Sequence, residues 1–317
     1  MPELERRPLG TSGIDVSVMS LGSWRTFERI PRELGVQIME AARHAGIDFL
    51  DDARYDDETG RAPMATGYSE VVFGELYRHA GWTRDEVTIA NKLWWEHWPR
   101  EDAAAELDGS LARMELEHVD VIYAIRPPAE LPIPELVEQV AHLVESGRAR
   151  TWGTGMWTAA QLHAAIDVCE ATGAPLPSCA QMATSLVDHS GPDDPEMLAA
   201  LDRGGIGLVA SYVLAGGTLT GKYAHETDGR AAADDSTVSA AGKDVGERVA
   251  AIAEEWGVPS SHVAFAYAFS HPHLASVVFG ATSPAQLREN VAAWATFTTL
   301  TAEQIGVVRA LAVDDPR

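Results

Sequence analysis

Asp51, Tyr55 and Lys92 are the residues whose types and spacing could move a proton. Asp51 sits near the end of the stretch Gly46 to Tyr55 (GIDFLDDARY), followed by Asp52, Arg54 and Tyr55. A strand-length apolar run ending in acids and a tyrosine reads as a buried parallel strand that delivers polar groups to one end of a sheet. Lys92 interrupts a second such run, Val87 to Trp95 (VTIANKLWW). Lysine is almost never fully buried unpaired, so Lys92 requires a carboxylate, and Asp51 is the candidate from the neighbouring strand. A lysine held between a carboxylate and a tyrosine stabilises the phenolate and makes Tyr55 a better proton donor near neutral pH. Trp94, Trp95 and Trp98 follow Lys92, either as walls of an apolar or aromatic pocket or as loop packing.

Two later stretches suit an anion. LAGGTLTGKY (Leu214 to Tyr223) is glycine-rich and contains Lys222, so that backbone N–H groups can approach a phosphate with a cation beside them. In GATSPAQLREN, Ser283 reads as a helix N-cap with Pro284 at the first helical position, which points free N–H groups at the same end of the sheet. No G-x-G-x-x-G follows a first strand, so a Rossmann nucleotide domain is not supported. His271 and His273 form an H-x-H pair without further ligand candidates, and no metal site is expected.

The elements that must position these residues alternate. A short hairpin over 7–18 precedes a buried strand, MSLGSW. Helices are predicted over 31–44, 68–81, 101–114, 134–146, 158–172 and 195–203. Strands are predicted at Gly46–Asp52, at Val87–Trp95, and over 118–125, 150–156, 178–184, 205–211 and 276–281. Helical segments near 244–256 and 260–270 precede the last strand, and Thr301 to Leu311 reads as an extra C-terminal helix. Eight strands alternating with helices predict an α/β fold, a closed (β/α)8 TIM barrel with an N-terminal β-hairpin, in one domain over 1–317. Residues 224–243 lack apolar period and read as surface disorder or as a loop that closes over a ligand.

Net charge is −23 over 317 residues, which argues against nucleic acid or an anionic membrane surface as partner. No apolar segment approaches membrane-spanning length, and the opening MPELERRPLG is charged rather than signal-like. Cys169 and Cys179 show neither paired nor metal-type spacing, so a reducing, cytoplasmic setting is expected.

The order LGSW, FLDDA, IANK, VDVIYAIRP, TWGTGMW, AQ at 180–181, ASYVLAGGTLTGKY and FGATSPAQLREN resembles the aldo-keto reductases across almost the whole chain. It is most similar to the branch containing the β-subunits of voltage-gated potassium channels. The resemblance implies a barrel that binds NADPH in extended form, with Asp, Tyr, Lys and His at its mouth. Asp51 and Lys92 fall on the family's aspartate and lysine. Tyr55 lies four residues after Asp51 where the family has five, and Tyr68 is the reserve candidate. Ile125, before Arg126 and Pro127, stands where the family has histidine, so one hydrogen bond to a carbonyl oxygen is lost unless Tyr123, Trp157 or another side chain supplies it.

The same resemblance implies cofactor contacts at Gly22, Ser23, Trp24 and Asp51. Gly155 and Met156 stand for the Ser-Asn that holds the nicotinamide amide, and Gln181 is kept as its partner. Ser211, with Tyr212 beside it, replaces the stacking aromatic. Leu214, Gly216 and Lys222 lie toward the pyrophosphate. Gly280, Thr282, Gln286, Glu289 and Asn290 lie toward the 2′-phosphate and adenine, with Lys243 as a further cation. A substrate pocket is expected among Trp24, Tyr55, Trp94, Trp95, Ile125 and Arg126. The expected activity is slow or specialised reduction of a small-molecule aldehyde or ketone. Reduction of an activated C=C bond and an NADP(H)-binding regulatory subunit with little turnover are the alternatives. The branch often forms rings of four, which makes a homo-oligomer an expectation.

Overall fold

A computed structural model of the chain describes residues 3–220 and 240–314. Among them, eight parallel strands close into a barrel: β3 (Met19–Gly22), β4 (Phe49–Asp51), β5 (Thr88–Leu93), β6 (Val119–Ile125), β7 (Ala149–Gly155), β8 (Cys179–Ala183), β9 (Gly207–Ser211) and β10 (Leu274–Phe279). Closure runs through β10, which pairs β9 on one side and β3 on the other. Every residue of β5 and β6 is buried, as expected of strands covered on both faces. The predicted (β/α)8 barrel is therefore the observed architecture.

Helices α1 (Arg32–His44), α2 (Tyr68–His79), α3 (Ala103–Met114), α4 (Ile133–Glu145), α5 (Ala159–Thr172) and α6 (Pro195–Gly204) separate successive strands from β3 to β9. Then come α7 (Ala240–Trp256), α8 (Ser260–Phe269), α9 (Pro284–Phe297) and α10 (Ala302–Arg309). α7 takes in 240–243, which read as loop because Ala-Ala-Gly-Lys carries no apolar period; the rest of the 224–243 stretch lies outside the described residues. β10 begins and ends two residues earlier than the predicted 276–281, since Leu274 already pairs with Leu208 of β9.

The N-terminal hairpin, β1 (Arg6–Pro8) paired antiparallel with β2 (Asp15–Ser17), closes the barrel floor. Its Leu9, Ile14 and Val16 pack with Phe49, Val121, Tyr123 and Val209 from the barrel interior. The turn is tight: a Cβ on Gly10 would lie 2.0 Å from the Ser178 carbonyl oxygen, and its φ is +55°. The floor is thus sealed by side chains, which leaves the carboxyl ends of the strands as the accessible mouth.

Cys169 and Cys179 are both buried free thiols. Burial pushes Cys169 up to about 11 and Cys179 up to about 12, so both are held as unreactive thiols. His271 is a buried residue whose Nε2 lies 3.1 Å from the Pro192 carbonyl, and no group of three metal-ligating side chains occurs among the described residues. No helix among them is long and apolar enough to cross a membrane.

Candidate active site

β4 and β5 run side by side in register Phe49↔Thr88 to Asp51↔Ala90, which brings the acid ending β4 beside the lysine of β5. The Lys92 ammonium donates to Asp51 Oδ1 and lies 3.2 Å from the Tyr55 hydroxyl. Gln181 Nε2 on β8 donates to Asp51 Oδ2 at 2.7 Å, so the carboxylate is held from both sides. Asp51 and Lys92 are 3% and 4% exposed, and a charge pair this dry persists only because each partner is neutralised.

The expected softening of Tyr55 is not what the site shows. Burial raises the phenol above its ordinary range, and the opposing pull of Lys92 does not offset it. Lys92 is itself raised, because Asp51 and Tyr55 outweigh its own burial. Tyr55 is therefore a protonated donor and Lys92 a fixed cation across neutral pH. Tyr68, the alternative tyrosine, is engaged elsewhere: its hydroxyl accepts from Arg32 at 2.8 Å.

Behind the triad lies a second acid. Asp52 is fully buried, accepts from the Ser23 hydroxyl and has no partner for Oδ2 among the described residues. Burial, reinforced by Glu70, holds its carboxyl well above the usual range.

At the site where the resemblance puts a histidine, Ile125 is 5% exposed and fills space over Gly155. A Cβ on Gly155 would lie 2.3 Å from Ile125 Cδ1. Trp157, named above as a replacement, is engaged elsewhere, as is the neighbouring Trp95. Trp157 Nε1 donates to the Ala124 carbonyl at 2.8 Å, and Trp95 Nε1 to the Ile125 carbonyl at 3.1 Å. Tyr123 is fully buried beneath the mouth, beside Lys92.

The chain matches the Aldo/keto reductase family over residues 18–313. The chain belongs to the aldo/keto reductase family. A relative described as a probable voltage-gated potassium channel subunit beta from Oryza sativa subsp. japonica is 30% identical, covering 99% of this chain and 98% of its own. Another of the same description from Arabidopsis thaliana is 31% identical, covering 92% of this chain and 91% of its own.

For this family member, the residues expected to hold the cofactor's far end fit such a group. Ser283 caps α9, accepting from the Gln286 backbone N–H at 3.1 Å, so the helix N-terminus is formed and faces the mouth. Asn290, two turns in, is 2% exposed and its Nδ2 finds no partner among the described residues. Gln286 holds Thr282 through its carbonyl oxygen, which accepts from the Thr282 backbone N–H at 2.8 Å. Glu289 and Gln286 are exposed, and Lys243 is exposed in the first turn of α7. Between β9 and α7, Tyr212, Ala215, Gly216 and Gly217 all take positive φ, a sharply curved backbone in which the Tyr212 hydroxyl lies 3.4 Å from where a Gly216 Cβ would be. Lys222 lies outside the described residues.

Gly155 contributes no side chain, Met156 is 47% exposed with its N–H bonded to the Gln181 carbonyl, and the Gln181 amide nitrogen is taken by Asp51. Trp24 is 43% exposed. With Met64, these make three of the four exposed large apolar side chains among the described residues, all in loops at the barrel mouth.

Beside Tyr55, a cavity of about 190 Å³ is lined by Trp24, Arg25, Arg29, Glu58, Trp94 and Glu96, among others. Trp94 meets Tyr55 edge-on with ring centroids 6.0 Å apart. Three expected pocket residues, Trp95, Ile125 and Arg126, do not line it. Trp95 is buried as loop packing, and Arg126 is exposed with Nε on the Met156 carbonyl at 3.2 Å. Glu106 was missing from the expected set although it shapes the mouth. Its two oxygens accept from the Trp94 and Trp95 backbone N–H groups at 2.8 and 3.1 Å, and Arg54 braces it at 3.3 Å. On sequence it reads as one polar position of an amphipathic helix, with nothing to mark it.

Proposed function

We propose that the chain is an NADPH-dependent oxidoreductase that reduces an aldehyde or ketone. The observation that carries this reading is the buried chain Asp51–Lys92–Tyr55, with the Tyr55 hydroxyl 3.2 Å from the Lys92 ammonium and opening onto the cavity. NADPH, when bound, supplies the hydride to the carbonyl carbon. Gly22, Ser23, Trp24, Gly155, Met156, Gln181, Ser211 and Tyr212 would hold its nicotinamide half. Leu214, Gly216, Gly280, Thr282, Gln286, Glu289 and Asn290 would hold the rest. Tyr55 gives its proton to the oxygen that gains charge, Lys92 stabilises the phenolate left behind, and Asp51 keeps Lys92 charged and in place. The dry surroundings strengthen each of these interactions.

Ile125 supplies no hydrogen bond to the developing oxyanion. Loss of one such donor costs about 10² to 10³ in turnover in other enzymes, so a slow catalyst is expected. That loss, and the description of the plant relatives, favour a second reading: an NADP(H)-binding regulatory subunit, assembled as a homo-oligomer in the cytoplasm, with turnover incidental. NADPH oxidation by wild type and Tyr55→Phe against aromatic aldehydes, ketones and enones separates the two. Turnover lost in Tyr55→Phe supports the reductase. Tight NADPH binding with equal inertness of both proteins supports the regulatory subunit, and enone turnover without alcohol formation would redirect the proposal to C=C reduction.

A further inference from the structure

The cavity beside Tyr55 already contains a carboxylate held as a ligand would be. Glu58 comes from the loop between β4 and α2, and its two oxygens take contacts at 2.7 Å from Arg25 Nη2, 2.6 Å from Arg25 Nε and 2.7 Å from Arg29 Nη2. Arg25 Nη2 donates to one oxygen and Arg29 Nη2 to the other, a two-arginine fork that grips both oxygens of the carboxylate, while Arg25 Nε lies close by without a hydrogen bond. The fork is set in place by its own surroundings. Arg25 has φ +54°, an uncommon left-handed backbone for a non-glycine residue, and its guanidinium lies 4.6 Å from the centre of the Trp24 ring. The loop that delivers Glu58 is also prefolded: Asp57 accepts from the Thr59 and Ala62 backbone N–H groups, both at 2.9 Å, and Asp56 bridges to Thr66.

With Glu58 in place, the two guanidiniums are matched by Glu58 and Glu28, since Arg29 also bonds Glu28 at 3.0 Å. With Glu58 withdrawn, Arg25 loses its carboxylate partner at the rim of a cavity whose further lining includes Trp24, Trp94, Tyr55 and the acids Asp56 and Glu96. The remaining lining arginine, Arg54, is not free for this task, being bonded to Glu96 at 2.8 Å and to Glu106. Aromatic walls, a proton donor at one side and a carboxylate fork at the rim describe an elongated ligand with an aromatic body and an anionic tail.

We propose that Glu58 is an internal stand-in for substrate, and that the preferred substrates are aryl aldehydes or ketones bearing a carboxylate, which exchanges with Glu58 on Arg25 and Arg29. This rests on the reductase reading of the same site and adds the substrate class to it. In a chain of net charge −23, such a fork is also the means of admitting an anion that the rest of the surface repels.

The test uses the NADPH-loaded full chain with two probes. The first is the ratio of kcat/KM for para-carboxybenzaldehyde over para-methylbenzaldehyde. Glu58→Gln should raise that ratio about tenfold, the scale of one charge-assisted hydrogen bond, and Arg25→Gln or Arg29→Gln should lower it by a similar factor. The second probe is benzoate binding followed by tryptophan fluorescence, which needs no turnover: affinity should rise in Glu58→Gln, fall in Arg25→Gln and weaken with added salt. Benzoate affinity that is the same in all the proteins overturns the proposal. So does an equal gain for both aldehydes in Glu58→Gln, which would make Glu58 a plain latch. If benzoate follows the predicted order while neither aldehyde is reduced, the anion site stands and the reductase reading falls.

Discussion

Ile125 Cδ1 lies 2.3 Å from the point where a Cβ on Gly155 would be, so the two residues share one volume at the end of neighbouring strands. The missing side chain at Gly155 makes room for the bulk of Ile125. What the mouth loses in hydrogen-bonding groups it gains as an apolar floor.

This pairing predicts a non-additive stability cycle. Gly155→Ser should destabilise the fold by about 1–3 kcal/mol through overpacking against Ile125. In an Ile125→Ala background the added cost of serine should largely vanish. Urea denaturation of the four proteins checks it, and additive penalties would contradict the shared-volume account.

Ile125→His restores a donor at the place where the resemblance puts one. Turnover on an aromatic aldehyde should rise at least about tenfold, part of the 10² to 10³ that such donors contribute. Unchanged steady-state kcat in a protein of unchanged stability would mean that the oxygen is bound elsewhere.

Asp52 makes stability depend on pH with a definite sign. Its folded pKa is raised, so the folded state binds the proton more tightly than the unfolded chain does. Its contribution is fully present below the ordinary carboxyl pKa of about 4 and is lost as pH rises through the folded value. Asp52→Asn removes that loss while still accepting from Ser23. The stability of the variant relative to wild type should therefore increase as pH rises from 4. Parallel urea midpoints across that range would contradict it.

Glu106→Ala strips the Trp94 and Trp95 backbone N–H groups of their acceptor and leaves Arg54 with Glu96 alone. A cost of about 3 kcal/mol is expected, the lower end for breaking a buried ion pair because one partner remains. A change below 1 kcal/mol in denaturant unfolding would show that the loop is held by other contacts.

Much of this was legible in the chain itself. Apolar runs of strand length located all the barrel strands, and the single lysine inside VTIANKLWW named its own partner, because a buried cation tolerates few neighbours. The same logic could not find Glu106, Arg25, Arg29 or Glu58. Charged residues on loops and helix faces have no period, and their partners lie 29 to 52 positions away, as Arg29 to Glu58 and Arg54 to Glu106 show. The direction of the Tyr55 shift is hidden for a related reason: Lys92 is visible in the sequence, whereas the burial that outweighs it is not. Trp95 and Arg126 were expected in the pocket on adjacency, whereas the left-handed backbone at Trp95 sends its indole into packing.

The central claim is that Tyr55, Lys92 and Asp51 transfer a proton in step with hydride delivery from NADPH. It is tested most directly in a stopped-flow single turnover, mixing protein loaded with NADPH deuterated at the reactive carbon against para-carboxybenzaldehyde. Wild type should oxidise its bound cofactor and place deuterium on the carbinol carbon of the product, while Lys92→Met, binding NADPH equally well, should do so at least about a hundredfold more slowly. Equal rates in the two proteins, or product without the label, would contradict the account.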